Sequence, residues 1–357
     1  MVLTEQLAEL RDPFASGLTH WDLMEMYGTM VMARALCERM WLLNRSGKAP
    51  FIVTGEGHEG AQVGSAYAVR QGYDFMLPYY RDLGVVLTLG MTPKEVMLNI
   101  FNRAADPNGG GRQMPSHWSH PDLRIVSHAS PVATHILHAV GIAHAARIKG
   151  EDIVAMAYFG EGATSKGDFH ESLNWAAIFK LPVIFVCENN GYAISVPSSR
   201  QVPVKHVAQR ATAYDIPGVT VDGGDVVEVF EATQEAVSRA RRGEGPTLIE
   251  AVTYRFKPHT SNDDDSVYRS REEVEAAQKR DPITRLRTYL LKTGALSEDE
   301  DRAINIRVRR EIDEAEAFAE ASPLPRPEDA LLYVCAESST TVNREPPSDG
   351  KGGDNGG

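Results

Sequence analysis

The chain has 357 residues, 42% hydrophobic and 24% charged, enough to bury a large core in one big α/β domain with extensions or in two modest domains. Its formal net charge of −12 argues against nucleic acid and anionic membranes as partners. Three scattered cysteines (Cys37, Cys187 and Cys335) form no CxxC pair and suit reduced thiols in a cytosolic protein, with Cys187 a small buried hydrophobe inside the run PVIFVC.

The opening MVLTEQLAELRDP mixes acids with apolar residues. It lacks the basic start, apolar core or Arg/Ser bias of a targeting segment, so a cytoplasmic protein is expected. No uncharged apolar run approaches the ~18–20 residues of a membrane span. Apolar residues at helical spacing from Leu23 to Leu43 predict a helix or helix pair over 20–45. A second helix is predicted from His58 to Val69, entered through GEGHEG. MLPYYRDLG at 76–84 reads as a strand end followed by a turn or helix start, and the Thr-Pro of TPKEVMLNIFNRA opens a helix over 92–104. The long irregular stretch DPNGGGRQMPSHWSHPDLRIVSHASP carries His, Arg and aromatic residues, which favours function over disorder.

Val132 to Arg147 is a helix rich in Ala, Gly and His. Strands at 153–159, 182–188, 218–221 and 246–254 then alternate with helices at 168–179 and 226–241. This alternation predicts an α/β fold with a doubly wound, mainly parallel sheet and helices on both faces. Helical extensions flank it, at 1–45 and at 261–336, where the charged helix is expected to be peripheral. The α/β domain spans 46–260, and a disordered tail is expected over 337–357.

The segment YFGEGATSKGDFHESLNWAAIFKLPVIFVCENNGYAIS holds the main chemistry. Glu161 and Asn190 fall at the ends of two strands that can lie side by side, and both offer hard oxygen ligands to a small divalent cation. Gly160 and Gly162 free backbone N–H groups for a diphosphate. The turn is not a GxGxxG fingerprint, because Ser165 stands at the third glycine, and it is not a P-loop. The 26 residues between Gly162 and Asn189 suffice for one helix and one strand, so both turns return to one sheet edge.

GEG followed at this spacing by NN resembles the diphosphate and magnesium motif of thiamine diphosphate enzymes. Segment 158–195 resembles the alpha subunit of heteromeric 2-oxo acid dehydrogenases, the decarboxylating first component of those complexes. GHEGAQ, PYYRDLG, GRQMPSH, SPVATH and TYRF with its following His extend the likeness over roughly residues 20 to 290. The resemblance implies a thiamine diphosphate-binding fold, with Mg2+ held by Glu161, Asn190 and the Tyr192 carbonyl. Many members carry Asp where this chain has Glu161; branched-chain members use Glu. Tyr80 and Arg81 correspond to a diphosphate-binding pair, with Gly160, Gly162 and Ala163 making close contacts. Ser130 and Val132 correspond to the aminopyrimidine contacts. Relatives place a potassium ion under this loop on a Thr and a Gln; here Thr134 is kept and His135 replaces the Gln.

His117 and His259 correspond to two histidines facing the reacting carbon, in roles of carboxylate orientation and proton handling. Arg255 pairs with phosphate or anchors the His259 loop, and Phe51 and Tyr79 are assigned to the substrate pocket beside His117. The Asp263–Asp265 run lacks EF-hand spacing and reads as an acidic loop. Thr260 stands where animal relatives carry a phosphorylated Ser. The implied reaction is oxidative decarboxylation of a 2-oxo acid with acyl transfer to a lipoyl-bearing acyltransferase. A catalytic Glu is expected from a beta subunit, in a tetramer of two alpha and two beta chains, so neither Glu59 nor Glu161 is given that role. GRQMPSH resembles branched-chain members and not the GKGGSMH type of pyruvate and acetoin relatives. Pyruvate or acetoin dehydrogenase is the alternative, with a non-catalytic cofactor-holding subunit as the reading of another class. A nicotinamide dehydrogenase is disfavoured by the missing third glycine.

Overall fold

The computed structural model describes residues 10–332; the expected tail at 337–357 and Cys335 lie outside the described residues. Its strands are β1 (Phe75–Leu77), β2 (Ala155–Gly160), β3 (Val183–Asn189), β4 (Tyr192–Ala193), β5 (Val196–Pro197), β6 (Gly218–Asp222) and β7 (Thr247–Val252). Its helices are α1 (His20–Arg45), α2 (Glu59–Tyr67), α3 (Leu83–Thr88), α4 (Pro93–Ile100), α5 (Thr134–Lys149), α6 (Gly167–Ile178), α7 (Val226–Arg241), α8 (Arg271–Gln278), α9 (Pro282–Thr293) and α10 (Glu298–Ala321).

Five strands form one parallel sheet in the order β1-β2-β3-β7-β6. Side chains alternate between its faces, and both faces are dry, as parallel sheets require. Ala155, Ala157, Phe159, Val183, Phe185 and Cys187 join Phe169 and Leu173 of α6 and Ile136 and Ala139 of α5 in one core. Met156, Tyr158, Ile184 and Val186 face the other way, into a larger core with α1, α2 and α7. The doubly wound parallel sheet read from the sequence is therefore the fold. The chain advances along the sheet from β1 to β3, then continues on the far side of β7. The winding reverses between β3 and β7, and crevices for ligands open at such a reversal.

Local chemistry sets most boundaries. Thr92 caps α4 with a reciprocal Glu95 box, and Pro93 fills the first turn, as the Thr-Pro signal indicated. That helix stops at Ile100, before Asn102, whose left-handed φ of 51° cannot continue it. A Thr19–Asp22 box starts α1, which runs unbroken for 26 residues instead of splitting into a pair. The expectation of a peripheral C-terminal region holds less well. Val308, Ile312 and Ala315 of α10 enter the same core as α1, and the Tyr27 hydroxyl donates to buried Asp301.

α2 lies against α7 with almost no space between them. A Cβ on Gly64 would sit 2.5 Å from the Val226 carbonyl oxygen, and one on Gly60 2.6 Å from that of Gly223. Backbone cannot retreat as a side-chain tip can. Gly64→Ala should therefore destabilise the protein by about 1–3 kcal/mol, seen as a lower urea midpoint. An unchanged midpoint would show that α2 can shift at no cost.

A crevice lined by two buried arginines and a buried carboxylate

The crevice opens beyond the carboxyl ends of β2, β3 and β7. β2 pairs with β3 so that Gly160 lies opposite Glu188. Glu161 and Asn190 therefore leave adjacent strands at the same height. The Asn190 N–H donates to Glu161 Oε2 at 3.3 Å, and the Tyr192 N–H donates to Asn190 Oδ1 at 3.2 Å. Arg255 follows β7, and Tyr80 and Arg81 come from the turn before α3. Together with Tyr79, Ser130, Val132, Gly160, Gly162, Ala163 and His259, these residues line one cavity of about 290 Å³.

Its charges are out of balance. Arg81 is 2% exposed and Arg255 1%. Among the described residues neither forms an ion pair. Arg81 donates to the Thr54 carbonyl at 2.6 Å and approaches His259 Nδ1 at 3.3 Å. Arg255 donates to the Ile194 carbonyl and the Tyr268 hydroxyl, each at 3.0 Å. Arg81 Nε and Arg255 Nη1 are buried without a hydrogen-bond partner among the described residues. Burial, and then the charge of Arg81, lowers the Arg255 pKa. Beside them Glu161 is 1% exposed and its Oε1 has no hydrogen-bond partner among the described residues; burial raises its pKa. Uncompensated buried charges are costly. Two guanidinium groups facing an orphaned carboxylate form a built site for an anion held together with a cation.

The glycines leave the room. A Cβ on Gly160 would meet only the Glu188 carbonyl oxygen, at 3.9 Å, so that space opens to the cavity. At Gly162 a Cβ would lie 2.8 Å from Ala193 Cβ, so the turn itself demands glycine.

The two predicted histidines sit differently. His259 lines the cavity. Arginine can only donate, so His259 Nδ1 accepts and Nε2 carries the hydrogen. Burial, then Arg81 and Arg255, push the His259 pKa down to about 3. His117 is one hydrogen bond behind the wall. Its Nδ1 meets the Pro115 carbonyl at 3.2 Å and so donates; Nε2 then accepts from the Ser130 hydroxyl at 2.6 Å. Phe51 is not among the cavity-lining residues. It adjoins the His259 loop, where the Ile52 N–H donates to Ser261 Oγ at 3.2 Å. Glu59 is turned away from the crevice, bound to Arg34 at 2.6 Å.

Sequence reasoning missed Gln201, whose Nε2 donates to the Gly162 carbonyl at 2.9 Å, and Ala193 and Ile194 beside it. It also missed the support behind the wall. Glu188, fully buried, accepts from His58 Nδ1 at 2.6 Å, from the Tyr79 hydroxyl at 3.1 Å and from Gln62 at 3.3 Å. Asp82, also fully buried, accepts from the Tyr79 N–H at 2.7 Å, and burial together with the Glu188 charge raises its pKa well above the usual range.

Parallel topology, helices on both faces and a crevice at the winding reversal define an α/β protein of the doubly wound class. Residues 27–328 match the family described as "Dehydrogenase E1 component", and the chain belongs to it. It is 54% identical to the 2-oxoisovalerate dehydrogenase subunit alpha of Bacillus subtilis over 90% of this chain and 98% of that one. It is 42% identical to the 3-methyl-2-oxobutanoate dehydrogenase subunit alpha of Mycobacterium tuberculosis, covering 83% of this chain and 79% of that protein. To the pyruvate dehydrogenase E1 component subunit alpha of Staphylococcus aureus it is 38% identical, covering 87% and 81%.

Proposed function

We propose that this chain is the alpha subunit of a branched-chain 2-oxo acid dehydrogenase and that its cavity holds thiamine diphosphate through Mg2+. The observation that carries this is the buried pair Arg81 and Arg255, without an acidic partner among the described residues, facing the free Oε1 of Glu161. The donor set fits. Glu161, the Asn190 amide oxygen and the Tyr192 carbonyl would hold the ion as oxygen ligands. Arg81, Arg255 and Tyr80 would hold the diphosphate, with Ala163 and the glycines in close approach. Ser130 and Val132 would meet the pyrimidine. When bound, the cofactor supplies the thiazolium carbon that takes up the 2-oxo acid and the ring that accepts electrons as carbon dioxide leaves.

The chain's own residues position and protonate. The His259 Nε2–H points a donor from the wall, suited to the substrate carboxylate or to a proton transfer. His117 fixes Ser130 by accepting its hydroxyl hydrogen. Phe51 is proposed for the acyl pocket at the edge of the His259 loop. Glu59 is bound to Arg34 and Glu161 is committed to the ion, so the acid that activates the pyrimidine is assigned to a beta subunit. A lipoyl-bearing acyltransferase is proposed as acyl acceptor, and a tetramer of two alpha and two beta chains as the working unit. A cytoplasmic location is proposed, in keeping with the likeness to the Bacillus subtilis subunit. Among the described residues no helix is long and apolar enough to cross a membrane.

The purified alpha chain alone is expected to show no decarboxylation, and mixing with its beta subunit to restore it. The reconstituted enzyme should prefer 2-oxoisovalerate over pyruvate by at least fivefold in kcat/KM. The Staphylococcus relative keeps pyruvate as the second reading. A tenfold preference for pyruvate would establish it, and turnover by the alpha chain alone would refute the division of labour.

A further inference from the structure

The loop from Ser127 to Ala133 closes the cavity on the Ser130 side, and three imidazoles brace it from within. The His117 and His128 rings stack, with centroids 4.7 Å apart and planes 12° from parallel. His128 meets His135 edge to face at 5.9 Å and the cavity-lining Tyr80 at 6.3 Å. His128 is 3% exposed and His135 1%. His135 Nε2 lies 2.6 Å from the Tyr158 carbonyl oxygen of β2. A carbonyl only accepts, so this nitrogen carries the hydrogen and ties the loop to a central strand. Among the described residues neither nitrogen of His128 has a hydrogen-bond partner, nor does His135 Nδ1. Burial pushes His128 down to about 2 and His135 to about 4, so both rings are uncharged at neutral pH.

A potassium ion under this loop, as the relatives' Thr and Gln would hold it, does not fit these residues. The Thr134 hydroxyl donates to the Pro131 carbonyl at 3.2 Å. His135 offers a ring nitrogen where an amide would offer an oxygen, and hard cations favour oxygen.

We propose that the stack His117–His128–His135 takes the place of an alkali cation beneath the Ser130 loop, making His128 and His135 positioning residues for Ser130 and His117. An ion would hold the loop by attracting carbonyl dipoles. The stack holds it by flat contact and by one hydrogen bond to β2. Contact of this kind keeps the His117 ring plane where its Nε2 meets the Ser130 hydroxyl. It also supports the entry to α5, where buried Ala133 adopts a left-handed φ of 79° that residues with a side chain avoid. Because the His128 nitrogens meet no hydrogen-bond partner among the described residues, the loop needs the ring's shape and not its polarity.

This inference rests on the cofactor role proposed for the cavity, and the test separates the two. The enzyme assembled with its beta subunit is titrated with thiamine diphosphate at saturating magnesium by calorimetry. One series uses potassium chloride and the other choline chloride at equal ionic strength. Affinities agreeing within twofold are expected. A gain of tenfold or more in potassium overturns the inference and leaves the cofactor assignment standing. No binding in either salt overturns the assignment and the inference together. In choline chloride, His128→Phe should keep affinity within threefold. His128→Ala should lose about tenfold and quicken tryptic cleavage after Arg124. Equal losses in both variants, or none in the alanine variant, overturn the stack as the support. The salt comparison on the unaltered protein does not depend on either variant folding.

Discussion

Glu161→Gln is expected to cost the assembled protein at least about 100-fold in magnesium-dependent affinity for thiamine diphosphate, about 2.7 kcal/mol. The substitution keeps the volume and the contact from the Asn190 N–H but removes the charge that faces the cavity. It leaves Arg81 and Arg255 without a nearby carboxylate, so an anion alone could still bind weakly. Calorimetry with and without magnesium therefore separates the two effects: the metal-dependent part should vanish and the metal-independent part should persist. The pH dependence follows from the same group. Burial raises the Glu161 pKa, opposed by its own N–H and that of Asn190 and by the charges of Arg255 and Arg81. A divalent ion needs the carboxylate, so proton and metal compete for it. Affinity should be full above the raised pKa and fall as pH drops through it, by about tenfold per pH unit at the steepest. The fall should begin at a higher pH than for an ordinary carboxylate, and the Gln variant should be flat. Affinity in Glu161→Gln equal to that of the parent would end the metal assignment.

His259→Ala should lower kcat by about 100-fold, with cofactor affinity changed far less. Removing the ring takes away the Nε2–H donor and the acceptor facing Arg81, but none of the proposed metal ligands. The ring is uncharged in this structure because burial and two arginines hold its pKa near 3. A bound dianion would offset those arginines and move that value upward, toward the range where histidine exchanges protons at neutral pH. The kcat profile of the parent should then show an ionisation that the variant lacks. His259→Asn keeps a donor and should recover part of the loss at every pH without restoring that ionisation. A loss below threefold in the alanine variant would place His259 outside the chemistry.

The sheet and the convergence of Glu161 and Asn190 were legible because strand and turn signals are local. Alternating apolar runs gave β2 and β3, and their spacing required the two turns to meet. Thr92 and Pro93 marked the start of α4 for the same reason. What stayed hidden depends on contacts between distant segments. Nothing in the sequence says that Arg81 and Arg255 lack acidic partners, since charged residues abound on either side of each. Gln201 reaches Gly162 only because the β4–β5 hairpin folds the chain back. His128 reads as an ordinary loop residue until α5 and the His117 loop close around it. The helical pattern points to Val132 as the start of α5, two residues before the observed Thr134, because Ala133 turns left-handed, a conformation that alanine does not advertise.

The Glu188 network behind the cavity restricts how the chain can drift. His58, Gln62, Tyr79, Asp82 and Glu188 come from three segments, the start of α2, the turn before α3 and β3, and leaving a buried hydrogen-bonding group without its partner costs about 1–3 kcal/mol. A single apolar substitution at His58 or Glu188 would leave the other without its 2.6 Å hydrogen bond, so viable lineages should exchange these positions together. Such a set acts as a ratchet: the Tyr79–Arg81 turn inherits its shape from His58, Gln62 and Glu188, which line no part of the cavity.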